Sequence, residues 1–170
     1  MLTRRIPDNA RATSSNDGAE ITPAELPTYA ALIGLFNAAL ALFLFFRSKS
    51  PAREEPTTGD LLLLGLATQK ASRVLTRAKV THPLRAPFTE VEGSAGAGEL
   101  DERPRGTGMR KTIGQLLTCP YCLGMWIASG FVYGFTFEPR MTRMVASIFA
   151  VSSIADFTQH GYVKAKEMTD

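Results

Sequence analysis

Cys119 and Cys122 are the only cysteines among 170 residues, and they stand as Cys119-Pro120-Tyr121-Cys122. Thiols two residues apart support two kinds of chemistry. They can cycle between dithiol and disulfide, with the thiolate as the reactive form, and a helix start favours that form. They can also supply half of a tetrahedral zinc site. The chain's two histidines, His82 and His160, would complete a Cys2His2 set of irregular spacing and unusual order. The plain alternative is packing, with two small thiols buried beside Pro120. A pair so close in sequence cannot staple the fold across a distance, so a disulfide scaffold is excluded.

The elements around the cysteines decide among these readings. A soluble thiol–disulfide enzyme would need a strand before Cys119, an amphipathic helix after Cys122, and further strands with a cis-proline loop facing the sulfurs. Instead, residues 113–137 carry no charge, and about 20 such residues cross the hydrocarbon layer of a bilayer. After this segment come one turn and another apolar stretch. A thioredoxin-type fold is therefore excluded. Lipid around the sulfurs would work against the thiolate.

The other apolar residues are also gathered into blocks. Residues 29–46, "YAALIGLFNAALALFLFF", are uncharged with one polar side chain, Asn37, and read as a transmembrane helix. A polar linker follows, with Arg47, Lys49 and Arg53 at its start; Thr57 or Thr58 suits a helix cap. Residues 60–79 form a helix whose first half is apolar. Its Lys70, Arg73 and Arg77 fall on one arc. Residues 80–112 are a loop rich in Gly and Pro, with a segment that reads as a small hairpin or as flexible chain. Glu138-Pro139-Arg140 makes a turn. Residues 141–163 form a last apolar helix with Ser152, Ser153, Asp156 and His160 on one stripe. Ionisable groups at membrane depth face a bundle interior, water or each other, so Arg73, or else Lys70, is expected to pair with Asp156. Gly130 and Gly134 make a small-xxx-small face that allows close helix approach. Residues 1–28 are polar and proline-broken, the pattern of a disordered tail, and too long and acidic for the start of a cleaved signal peptide. Residues 164–170 are a short C-terminal tail.

The expected fold is all-α: a polytopic four-helix membrane bundle with three or four crossings. Seven Lys and Arg between Arg77 and Lys111 place loop 77–112 and the C-terminus on the cytoplasmic side, where thiols are normally kept reduced. The N-terminus lies inside if helix 60–79 crosses and outside if it rests at the interface. A net charge of +3 and the lack of any arginine-rich helix or zinc-finger spacing give no support to nucleic-acid binding.

Two stretches carry a resemblance: residues 71–88, "ASRVLTRAKVTHPLRAPF", and residues 106–126, "GTGMRKTIGQLLTCPYCLGMW". They resemble the small bacterial and phage membrane-protein family called domain of unknown function 1360, which includes a sporulation protein. The resemblance covers about residues 60–163 and treats helix 29–46 and the tail before it as additions. It carries the family's Cys-x-x-Cys onto Cys119 and Cys122, and its arginine pair onto Arg73 and Arg77. It implies a multi-pass protein of the cell membrane and no established activity. The resulting expectation is a non-enzymatic protein that packs in the lipid bilayer and binds membrane partners or itself, without a cofactor. The alternative is a membrane thiol oxidoreductase or metal-binding protein using Cys119 and Cys122.

Overall fold

The computed structural model describes residues 23, 25–49 and 55–169. Most of the expected tail and the middle of the linker lie outside these residues. Among the described residues, six α-helices and one β-hairpin follow in order: α1 (Leu26–Lys49), α2 (Thr58–Arg77), a 3-10 turn (Lys79–Thr81), α3 (His82–Arg85), β1 (Thr89–Gly96), β2 (Glu99–Pro104), α4 (Met109–Thr118), α5 (Pro120–Phe137) and α6 (Pro139–Glu167). The chain is mostly helical but not all-α, because the expected loop contains a two-stranded antiparallel sheet.

α2 starts where a capping box forms. The Thr57 hydroxyl accepts from the Asp60 N–H at 3.2 Å, and the Asp60 carboxylate accepts from the Thr57 N–H at 2.9 Å. Each satisfies a donor that the helix start leaves orphaned. Arg143 of α6 then adds Nε and Nη2 bonds of 2.8 and 3.0 Å to the same carboxylate. Further along α2, Lys70 donates to Asp156 of α6, and Ser153 Oγ donates to Gln69 Oε1 at 2.9 Å. The partners advance together along both helices, so α2 and α6 run parallel. α5 runs against both: its Phe135 joins Leu64, Ala67 and Ala146 in the core, while Gly124 lies beside Ser72. The buried positions of α2 and α6 include Ala67, Ala71, Ala146 and Ala150, side chains small enough to bring the helix axes close.

The uncharged segment 113–137 is not one helix. Pro120 has no N–H to return to the preceding turn, and its ring pushes Cys119 out of the helical region. Cys119 is accordingly extended (φ −103°, ψ 105°) and caps α5. α4 and α5 are bent by 80° at this point. α1 lies along α4 and α5 through aromatic contacts, with Phe36 edge-on to Trp126 at 5.3 Å and Phe43 stacked on Tyr133 at 4.2 Å.

Among the described residues, α1 is the one helix that by itself is long and apolar enough to cross a membrane, a property shared by membrane spans and signal sequences. α4 and α5 meet the same measure only when taken together. By length and composition the expected three or four crossings therefore become one, or two if the bent pair is a single span.

The hairpin turns at Ala97-Gly98, with Gly98 at φ 80°, a conformation that suits glycine. Its tip bonds back to the end of α2, where the Lys79 N–H meets the Gly98 carbonyl at 2.9 Å. Its open end is covered by α4. A Cβ on Gly114 would lie 2.5 Å from the Phe88 carbonyl oxygen and 3.1 Å from Pro104. Gly114→Ala should therefore force α4 off the sheet and destabilise the protein by about 1–3 kcal/mol. Gly34→Ala on α1, which meets nothing within 4 Å, serves as the control; thermal unfolding of the full chain in detergent compares the two.

Candidate functional site

The chemistry-bearing residues collect where α2 ends, the hairpin folds back and α5 begins. The basic arc of α2 is answered charge by charge. Lys70 meets Asp156, Arg73 meets Glu99, and Arg77 meets Asp101. Arg73 does not reach Asp156 as its ion-pair partner. Its Nε and Nη2 donate to both Glu99 oxygens at 2.6 and 3.0 Å, because β2 brings an acid to the last turns of α2 before α6 does. This fork holds the Glu99 carboxyl below its usual range.

Beneath these pairs lies a buried polar knot. The Arg85 and Glu102 side chains are each 1% exposed. Arg85 Nε and Nη2 donate to the two Glu102 oxygens, both at 2.9 Å. Its remaining N–H groups donate to the Leu75 carbonyl at 2.7 Å, the Thr81 hydroxyl at 2.6 Å and the Ala78 carbonyl at 3.1 Å. All five guanidinium donors are thus used. Two of the acceptors are carbonyls that the C-terminus of α2 leaves open, where the helix dipole favours a cation. Glu102 also accepts from His82 Nδ1 at 2.7 Å and from the Thr89 hydroxyl at 2.9 Å. Burial pushes its carboxyl up, but the bonds from Arg85, His82 and Thr89 together outweigh burial and hold it down at about 2.

Cys119 and Cys122 are joined as a disulfide at the corner between α4 and α5. The Cys122 N–H donates to Cys119 Sγ at 3.2 Å. The four residues of the Cys2His2 set are engaged elsewhere: the cysteines with each other, His82 with Glu102, and His160 Nδ1 with the Asp156 carbonyl at 2.8 Å. No group of three or more His, Cys, Asp and Glu converges among the described residues. Gly134 lies against Thr142 of α6, whose hydroxyl would be 3.0 Å from an added Cβ, while Gly130 has nothing within 4 Å. The two glycines therefore do not form one packed face.

Arg85 and Glu102 were not singled out from the sequence, where they lie 17 positions apart. The usable signal is Arg85 itself, held between Pro83 and Pro87 just past the end of a helix.

The described residues thus make a mostly helical protein with one span-length apolar helix, a charge-matched hairpin module and a cysteine pair at a helix corner. The chain belongs to the family described as protein of unknown function (DUF1360), which it matches over residues 63–162; α1 lies outside that region. It is 30% identical over 98 residues to the sporulation protein YjcA of Bacillus subtilis (strain 168), a match covering 56% of this chain and 83% of that protein. No solved structure matches the chain.

Two outcomes follow. Glu102 has a lowered folded-state pKa, so its share of stability is complete above about pH 4.5 and is lost as pH falls toward about 2. Glu102→Gln should cost about 3–5 kcal/mol at neutral pH, because Arg85 is left buried without its partner, and should flatten the acid limb of the unfolding curve. For Lys70 and Asp156, a double-mutant cycle of Lys70→Gln and Asp156→Asn should give a coupling of about 0.5–3 kcal/mol; additive losses would remove the pair from the stability of the α2–α6 contact.

Proposed function

We propose that this chain is a multi-pass protein of the bacterial cell membrane that acts by helix packing and by binding membrane partners or a second copy through its polar module. The observation that carries the reading is the apolar outer surface of the helices. Met144, Ile148, Val151 and Ile154 recur every three or four residues along α6, and each is more than half exposed. Leu61 and Leu62 on α2 and Leu42 and Leu44 on α1 are exposed likewise. A patch of this extent needs a cover, and lipid covers all of it at once.

The charges that count against α2 and α6 as spans are matched: Asp60 with Arg143 at one end, Lys70 with Asp156 at the other. Pairing lowers the cost of ionisable groups at membrane depth. If α5 crosses, the 80° bend lays α4 in the plane of the interface with Arg110 and Lys111 near the headgroups, the habit of an interfacial helix. The positive-inside rule then puts the hairpin and the C-terminus in the cytoplasm.

A second reading, thiol–disulfide chemistry, is favoured by the disulfide itself. On a cytoplasmic face, disulfides are usually transient and catalytic or redox-sensing.

Membranes from cells expressing the full chain test the first reading. The protein should stay with the membrane through an alkaline wash. In a Cys119→Ser, Cys122→Ser background, Arg140→Cys should react with an impermeant maleimide on intact cells, and Ala97→Cys only after permeabilisation. Release by the wash, or labelling of both positions from one side, would falsify it.

A further inference from the structure

The disulfide borders a cavity that neither packing nor the hairpin module explains. Between α1, α4 and α5 lies an apolar space of about 350 Å³, within the size range of small-molecule sites. Tyr29, Phe36, Gln115, Leu116, Cys122 and Trp126 are among the residues that line it. One polar pair interrupts the apolar wall: the Tyr29 hydroxyl donates to Gln115 Oε1 at 2.5 Å. The Gln115 side-chain NH2 makes no hydrogen bond among the described residues, and Gln115 itself lines the space.

The site thus joins a two-electron sulfur couple, flat aromatic walls and a spare donor. A ligand that answers all three is planar and apolar, presents a carbonyl oxygen, and takes up two electrons. A phosphorylated redox cofactor does not fit, since no Lys or Arg among the described residues lines the space. An acyl chain fits the walls but uses neither the donor nor the sulfur.

We propose that the cavity is a quinone site and that Cys119 and Cys122 reduce the quinone. The inference rests on the membrane location and on the thiol reading above; a lipid-soluble quinone enters sideways from the bilayer. In the step, the S–H bonds of both cysteines break and one S–S bond forms. The two electrons and two protons convert the two quinone carbonyls into the hydroxyls of a quinol. The Gln115 N–H holds a carbonyl oxygen as negative charge builds there. The Cys122 N–H, at the start of α5, stabilises Cys119 sulfur as a thiolate. A protein dithiol restores the pair by thiol–disulfide exchange and becomes a disulfide itself. It has access from the side of Tyr121, which is 88% exposed.

Trp126 is the chain's only tryptophan and reports on the cavity directly. The full chain, reduced with excess dithiothreitol and freed of it in phosphatidylglycerol nanodiscs, is titrated with a fully ring-substituted benzoquinone bearing a short alkyl chain. Full substitution prevents addition of thiols to the ring. The expected result is saturable quenching of Trp126, with two thiols lost per quinol formed, at least tenfold faster than for a peptide of residues 118–123. Leu116→Phe, which narrows the space, should weaken quenching at least tenfold while the thiols still react with maleimide. Gln115→Leu provides a second variant should Leu116→Phe fail to fold. Cys119→Ser with Cys122→Ser should still quench but form no quinol. Unsaturable quenching, oxidation at the peptide's rate, or indifference to both cavity variants overturns the proposal. So does full quenching by brominated phospholipid in the presence of the quinone, which would make the space an acyl-chain site. Failure of the membrane reading is separate, since it appears as release by the alkaline wash before any quinone is added.

Discussion

The bond between Arg85 and Glu102 organises the end of the molecule where the chemistry-bearing residues meet. A guanidinium and a carboxylate out of water cost several kcal/mol each to desolvate. The cost is offset here because every donor of Arg85 has an acceptor and both oxygens of Glu102 are doubly served. The pair ties three pieces of chain: the last carbonyls of α2, the short α3, and β2. With β2 fixed, Glu99 and Asp101 stand opposite Arg73 and Arg77, and the hairpin tip reaches the residue after α2. Gly114 then lets α4 close over the strand ends, which sets the direction from which α4 enters the corner at Cys119.

The same economy governs the long helices. α2 and α6 are clamped at both ends of their contact by ion pairs, Asp60 with Arg143 and Lys70 with Asp156. Between the clamps lie small residues that admit close packing, and outside lies an apolar surface. Such an arrangement suits a lipid environment, where apolar side chains gain nothing by leaving the lipid for one another and polar pairing and close fit must hold helices together.

The corner at Cys119 joins the structural and chemical arguments. Pro120 ends one helix and starts the next, so the cysteines sit at an α5 N-terminus and not in the middle of a long span. That places one sulfur beside backbone N–H groups and the other against the apolar cavity shared with α1. The first helix, outside the family-matched region, supplies Tyr29 and Phe36 of that cavity's aromatic wall, and α5 supplies Trp126.

The local features can be read from neighbouring residues alone. Apolar runs marked α1, the stretch that holds α5, and much of α6; Thr57 or Thr58 marked a cap for α2; Pro139 marked the turn into α6; and the residues around Cys119 marked the family. These are legible because capping, proline geometry and apolar length depend on residues close in the chain. Which acid meets which base is settled by the packing of the folded chain. Lys70, Arg73 and Arg77 share one arc, and nothing local distinguishes Asp156 from Glu99 or Asp101 as a partner. That choice follows from where the hairpin folds, and the hairpin is held by Arg85 and Glu102 across an intervening turn and strand. Pro120 stands in plain view in the sequence, but the 80° angle of the break beside it does not, because the direction of α4 is set by packing against β2. The cavity beside Cys122 was likewise invisible in sequence, since its walls come from three helices whose approach is fixed by side-chain volume and not by any single pattern.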